Sequence, residues 1–196
     1  KINFTENDTK FDTNGVQFVI NPYDEFCLTR AMWFKEKQGA SVTVVNVGNA
    51  STEPTLRKAL AIGADDAVRV NMEATDGLSV AKQLAEVVKS GGYDLVLAGR
   101  ESIDYNGGMV PGMLATLLDV AGQKGIVEEK DLRIPNMRGI MMARKKPLNV
   151  VEPIAADNAT SIQSFEKPAP KGTVKLIDAD NVDELINLLH NEAKVI

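Results

Sequence analysis

The hydrophobic and polar positions change period several times along the chain, and each change predicts an element. Residues 1–20 alternate loosely. Turn chemistry at Asp12-Thr-Asn-Gly15 predicts a weak hairpin with Val16–Ile20 as its second strand. Asn21-Pro22-Tyr23-Asp24-Glu25 reads as a helix start, with Asn at the cap, Pro at the first helical position and acids where the dipole favours them. This helix is expected to reach about Lys37 and stop at Gly39, with Cys27, Ala31 and Phe34 inward. Ser41–Val47 is a near-continuous β-branched run, the pattern of a strand covered on both faces. A helix over Thr52–Ile62, a strand over Ala67–Val70 and a helix carrying Leu78, Ala81, Ala85 and Val88 follow. Asp94–Ala98 predicts a third parallel strand. A loop over Gly99–Val110 leads into a helix over Pro111–Leu118.

Strands alternating with helices predict an α/β class with a parallel sheet. Such sheets bind ligands at the carboxyl ends of their strands, here the loops Gly48–Ser51 and Gly99–Val110. The pattern changes after Leu118. Asp119–Asp131 is polar without a clear period, Ile134–Lys146 is methionine-rich and basic, and Leu148–Val151 suits a strand. Pro153, Pro168 and Pro170 interrupt a long connection. Asn181-Val-Asp-Glu184 has capping-box form ahead of an apolar stripe at Val182, Leu185, Ile186 and Leu189. The expected organisation is an α/β domain over 1–150 and an extended C-terminal arm with a helix over 151–196.

Composition removes much of the usual enzymatic toolkit. The chain has 196 residues and a formal net charge of -5, which argues against a nucleic-acid binder. One Cys and one His exclude an internal disulfide, a Cys-rich zinc site and a multi-histidine centre. No apolar run approaches the ~20 residues that span a bilayer. The acidic balance, the single thiol and the lack of a signal-type start suggest a cytoplasmic protein. Any redox group must therefore be borrowed.

His190, late in the last helix, suits a cap or surface role. Cys27 suits packing better than reactivity. The loop Gly99-Arg-Glu-Ser-Ile-Asp-Tyr-Asn-Gly-Gly-Met-Val110 has the glycines and small polar groups of a loop that approaches phosphate, without a Walker or GxGxxG pattern. A plain turn has the same composition. Met137-Arg-Gly-Ile-Met-Met-Ala-Arg-Lys-Lys146 reads either as a helix with a solvated face or as an adaptable surface whose cations steer an acidic partner.

Five of these segments together resemble the beta (small) subunit of electron transfer flavoproteins. Asn21-Pro-Tyr-Asp-Glu-Phe26 is similar to the family's NPYDEF element, and Val42-Thr-Val-Val-Asn-Val-Gly48 to its next strand and turn. Leu56-Arg-Lys-Ala-Leu-Ala-Ile-Gly-Ala-Asp65 is similar to RxALAMGAD. Leu95-Val-Leu-Ala-Gly-Arg100 with Ser102-Ile103-Asp104 is similar to LLGKQAID. Arg138-Gly-Ile-Met-Met-Ala-Arg-Lys-Lys-Pro-Leu148 resembles the signature RGIMKAKKKPL, the most specific of the five.

The resemblance implies a parallel-sheet, adenine nucleotide α-hydrolase-like (Rossmann-like) three-layer domain and a heterodimer with a larger alpha subunit. It implies FAD shared with that subunit, and AMP (or a second FAD) in the beta subunit. It implies an electron carrier rather than an enzyme, serving flavin dehydrogenases such as those of fatty acid β-oxidation, acyl-CoA dehydrogenases. Carried over by residue, Asn21, Pro22, Tyr23 and Asp24 border the nucleotide, with Tyr23 toward the flavin. Asn46, Val47 and Gly48 approach the adenosine or phosphate. Gly99, Arg100, Glu101, Ser102, Ile103, Asp104, Tyr105, Asn106, Gly107, Gly108, Met109 and Val110 wrap the AMP. Met137, Arg138, Met141, Arg144, Lys145 and Lys146 form the partner-docking surface, and the C-terminal arm wraps the alpha subunit.

The sequence departs from the family pattern in three places. A first strand like KILVCVKQVPD is absent, a further segment is absent between Val120 and Ala121, and Tyr105-Asn-Gly-Gly-Met-Val110 lacks the Gln of D-x-x-x-Q-[VT]-G. That last difference leaves AMP and a second FAD as alternatives. A stand-alone nucleotide-binding regulator of universal-stress-protein type is a rival, disfavoured by the docking segment and the long arm. A related adenylating or pyrophosphatase enzyme would need an SGG-type phosphate loop, which is absent.

Overall fold

The β-branched run after Ser41 forms a strand with a parallel neighbour on one side. In the computed structural model, which describes residues 2–120, 132–170 and 172–195, β3 (Thr43–Val47) pairs with β4 (Asp66–Val70), Thr43 opposite Asp66 and Val47 opposite Val70. β4 pairs in turn with β5 (Leu148–Val151), Ala67 opposite Leu148. The sheet order is β3-β4-β5, all parallel. A parallel step needs a crossover. Here it is a 3-10 turn, Ala50–Thr52, with α2 (Glu53–Ile62) between β3 and β4, and α3 (Gly77–Gly91) after β4.

The first long helix, α1, spans Pro22–Gln38 and ends as predicted. Gly39 takes the left-handed conformation at φ 71°, and its amide donates to the Lys35 and Phe34 carbonyls. The buried face differs from the expected one. Leu28, Thr29 and Met32 are buried, whereas Cys27, Ala31 and Phe34 are half-buried. A 3.6-residue period fits either set, one position apart. Leu28 and Met32 join the core, where they pack with Leu56, Ala59 and Leu60 of α2, Ala67 of β4 and Ala143. Fully buried side chains such as Leu60 each contribute roughly 1.5–3 kcal/mol. α4 (Val110–Leu117) packs through Leu114 on Ala81 and Ala85 of α3 as a second cluster.

Two predicted strands do not form. Asp94–Ala98 takes no regular structure and has no ladder partner among the described residues, and Leu95 remains 57 % exposed. Apolar and β-branched content favours a strand, but a ladder needs a neighbour with matching free groups. The outer edge of β3 is also unpaired among the described residues. Val16–Ile20 forms no strand either. The hairpin lies earlier, β1 (Phe4–Thr5) against β2 (Lys10–Phe11), turned through Glu6, Asn7 and Asp8 at φ 53–62°. The polar stretch 121–131 lies outside the described residues, and with it the junction after Val120.

The chain divides into two compact units, Thr13–Gln163 and Lys1–Asp12 with Ser164–Ile196. In the second, Phe165 stacks on Phe4 at 5.1 Å and donates its amide to the Asp8 carbonyl. The predicted capping box becomes α6 (Val182–Asn187). Asn181 accepts from the Glu184 amide and donates to that residue's carboxylate. Val182, Leu185 and Ile186 are exposed.

Within Thr13–Gln163, α3 straps down the chain that leaves β5. Buried Gln83 donates from Nε2 to the Ile154 carbonyl and accepts the Ile154 amide at Oε1, both at 2.8 Å. Buried Asp76 caps α3 by accepting the Ser79 amide at 2.8 Å. Its other oxygen accepts the Thr160 hydroxyl and amide, at 2.5 and 3.0 Å. The Thr160 hydroxyl, then the Ser79 amide, hold the Asp76 carboxyl below the ordinary carboxylate range. A depressed carboxyl adds stability above its unfolded pKa of ~3.9 and loses it as pH falls through the folded value. Urea melts should therefore show Asp76→Asn less stable than the parent at neutral pH, with the gap narrowing below pH ~4. A gap of constant size across that range would refute this role.

Candidate functional site

The start of α1 and the loop after residue 98 are joined by side chains of Asn21 and Asp24. Asn21 occupies the cap position but does not cap the helix with its side chain. Its Nδ2 donates to the Glu101 carbonyl and to Asp24 Oδ2, each at 2.8 Å, and its Oδ1 accepts the Ile103 amide at 3.3 Å. Asp24 Oδ1 accepts the Gly99 amide at 2.8 Å. A Cβ at residue 99 would lie 2.8 Å from the Asp24 carboxyl carbon, so a larger residue there would displace that carboxylate. Beside this junction the Arg100 guanidinium lies over the Tyr23 ring, 5.1 Å from its centroid, and donates to Tyr23 Oη and Glu101 Oε1. Pro22 opens α1.

The rest of the loop closes on itself. Ser102 bridges Gly107, its amide donating to the Gly107 carbonyl at 2.9 Å, and Asn106 turns at φ 53°. The Tyr105 amide donates to Asp104 Oδ1, and burial, then the Asp104 charge, raise the Tyr105 phenol. The amides of Gly99, Ser102, Ile103 and Tyr105 are thus engaged inside the protein. Gly108 and Met109 lead to α4, whose N-terminus has no side-chain cap. Its first intrahelical donor is Met113, to the Met109 carbonyl, which leaves the Val110 and Gly112 amides without an intrahelical acceptor.

At the carboxyl end of the sheet, Asn46 faces Arg69 in register across β3 and β4. Asn46 Oδ1 is buried without a hydrogen-bond partner. Arg69 is 5 % exposed, and its guanidinium donates to the Gly48 carbonyl and Asn71 Oδ1, both neutral, with Nε unpartnered. Val47 is buried at the strand's end, and the Gly48 amide extends the ladder to Val70. A Cβ on residue 48 would meet Thr52 at 2.5 Å and Asn46 Oδ1 at 2.8 Å. At the sheet's carboxyl end Asn46 and Arg69 thus offer an unpartnered acceptor and a cation, and the start of α4 separately offers amides without intrahelical acceptors, groups of the kind that suit hydroxyls and phosphate.

The methionine-rich segment forms α5 (Met137–Ala143), a seven-residue helix capped by Asn136, which accepts the Gly139 amide at 2.8 Å. Met137 is 74 % and Met141 68 % exposed, with Arg138, Arg144 and Lys145 exposed around them. Lys146 is placed differently. It is half-buried, and its ammonium donates to the Leu60 and Ala64 carbonyls at the end of α2.

Cys27 lies near Asp24, but burial, then the Asp24 charge, push its thiol up to about 11, so it is a neutral thiol at physiological pH. His190 is exposed in a π-helical turn, Leu188–Glu192, of the other unit. Among the described residues no group of three or more His, Cys, Asp or Glu could hold a metal, and no helix is long and apolar enough to cross a membrane. Sequence reading missed Asp76, Gln83, Arg57 and Arg69. Only Asp76 carried a local signal, an Asp three residues before the Ser79 amide it caps. The others act across 21–89 residues of chain.

Comparison with known proteins gives one consistent result. A family model described as the electron transfer flavoprotein domain matches residues 8–169. The electron transfer flavoprotein subunit beta of Bacillus subtilis (strain 168) is 32% identical over 238 residues, covering 95% of this chain and 91% of that protein. The same-named subunit of Syntrophomonas wolfei is 30% identical over 227 residues, covering 96% and 90%. Protein FixA of Azotobacter vinelandii is 38% identical over 112 residues, covering 54% and 40%. The span aligned with the Bacillus protein exceeds the 196 residues of this chain, so the relative carries residues without a counterpart here.

Proposed function

Because the chain belongs to the electron transfer flavoprotein beta family, we propose that it is the small subunit of a heterodimeric electron carrier. The alpha subunit is its partner, FAD lies at their interface, and the site at the sheet's carboxyl end takes the AMP moiety that free AMP and FAD share. The observation that carries this reading is the junction of Asn21 and Asp24 with the 99–103 loop, which joins two separate family motifs in one wall.

FAD supplies the redox chemistry, and the chain's own residues bind and orient. Asn46 Oδ1 offers an acceptor to an amino or hydroxyl group. The Val110 and Gly112 amides at the start of α4 receive phosphate oxygens, supported by the positive end of the helix. The engaged amides at Gly99, Ser102, Ile103 and Tyr105 shape the loop rather than bind phosphate. Tyr23, held under Arg100, borders the flavin side. The exposed methionines and cations of α5 dock partner flavin dehydrogenases, acyl-CoA dehydrogenases among them. The exposed apolar residues of α6 suit cover by the alpha subunit.

Co-purification with the alpha subunit tests the reading, with flavin and AMP counted per heterodimer. One FAD with one AMP identifies a simple carrier, and two FAD identify the bifurcating type. A flavin-free complex, or a stable ATP-binding homodimer indifferent to alpha, overturns it.

A further inference from the structure

A seven-residue helix is too short to hold its own shape in water, since isolated helices under ~12 residues are marginal even in favourable sequences. α5 buries one side chain of its own, Ala143, and exposes Met137 and Met141. Its geometry must therefore come from what it touches, and what it touches is α2.

Two cations make that contact reciprocal. Arg57 of α2 donates from Nη1 to the Ala143 carbonyl at 2.9 Å and the Lys146 carbonyl at 2.8 Å, closing the C-terminal end of α5. Lys146, just beyond α5, donates to the Leu60 carbonyl at 2.9 Å and the Ala64 carbonyl at 2.5 Å, closing the C-terminal end of α2. Arg57 on α2 thus holds the last carbonyl of α5 and one in the turn after it, and Lys146 in that turn holds a last-turn carbonyl of α2 and one just past its end, where carbonyls lack intrahelical donors and carry the negative end of the dipole. Glu53 flanks Arg57 at 3.6 Å. Between the two caps Gly139 rests directly on the Ala61 carbonyl.

We propose that Arg57 is a positioning residue for partner recognition: by capping α5 from α2 it sets the angle at which Met137, Arg138, Met141 and Lys145 face a docking dehydrogenase. Lys146 completes the lock from the other side, so its charge serves the helix pair rather than the docking rim. The inference rests on the docking role proposed for α5 and adds the residue that orients it. Arg57 lies outside the nucleotide site, so its loss leaves flavin bound. A guanidinium spans two carbonyls with two donors, whereas a lysine ammonium is a compact point charge on a flexible stem.

The test uses the purified heterodimer with its FAD, a partner dehydrogenase as electron donor, and Arg57→Ala, Arg57→Lys and Met141→Asp. For Arg57→Ala, KM for the flavoprotein should rise about tenfold with kcat and flavin content unchanged, and hydrogen exchange should quicken at residues 139–146 alone. Arg57→Lys should recover part of the KM, which also serves if the alanine variant folds poorly. Met141→Asp, on the exposed face, should raise KM without altering exchange. If Met141→Asp weakens docking while Arg57→Ala and Arg57→Lys leave KM and exchange as in the parent, the positioning role is overturned and the docking role stands. If Met141→Asp leaves KM unchanged, the docking role itself fails.

Discussion

Replacing Asn21 with alanine should weaken adenine nucleotide retention by the heterodimer about tenfold while α1 stays helical. The amide of Asn21 holds the loop at two backbone points, the Glu101 carbonyl and the Ile103 amide, and steadies Asp24 against the Gly99 amide. Leaving such a group unsatisfied costs about 1–3 kcal/mol where water is partly excluded. Only the Glu101 contact is partly buried, the Ile103 contact being exposed, so the loss is about 1–2 kcal/mol, and 1.4 kcal/mol is tenfold in affinity. Asn21→Ser separates the two roles that residue 21 could play. Serine is a good helix cap, but its side chain is too short to reach residues 101 and 103 together. Equilibrium dialysis against AMP should find both variants weak. Retention of parental affinity by Asn21→Ser would show that the helix start, not the bridge, matters.

Replacing Gly139 with alanine should unseat α5. The added Cβ would lie 2.2 Å from the Ala61 carbonyl oxygen and 3.2 Å from its carbon. That neighbour is helical backbone and cannot swing away as a side-chain tip could. Overpacking of this kind costs about 1–3 kcal/mol. Exchanging glycine for alanine inside a helix returns about 1 kcal/mol. At 2.2 Å from a backbone oxygen the cost falls at the upper end of that range, so the net is about 2 kcal/mol against the seated helix, enough to cut docking roughly 30-fold. The expected result is a rise in partner KM of that size with flavin content unchanged. A Gly139→Ala protein with parental KM and parental exchange in α5 would show that the two helices separate without penalty.

The elements and the site were unequally legible from the sequence. α1 was readable to within one residue of its end, because Pro22 and Gly39 act locally through fixed φ and the left-handed turn. Strands β3, β4 and β5 were readable from short β-branched runs. The segment 94–98 carries a similar signal and forms no ladder, since pairing depends on a neighbour that composition does not specify. At the site, the motifs at residues 21–24 and 99–110 stand out in the sequence, where Asn21 reads as a helix cap and, by resemblance, as a border of the nucleotide. Its side chain instead reaches the loop some 80 residues away. The basic run at 144–146 read as one set of cations, and the fold divides it, leaving Arg144 and Lys145 exposed and drawing Lys146 onto α2.

By itself the sequence determined the class of fold, the limits of α1 and the family resemblance, and it holds a single Cys and a single His. These depend on period, on backbone-specific residues and on residue counts, all of which act within a few positions or none. Only the tertiary structure decided which loop amides are already engaged, which face of α1 is buried, and which cations close the helix ends of α2 and α5. Those outcomes depend on pairings between residues 20 to 90 positions apart. Each polar group there can satisfy itself in several ways, and packing selects one.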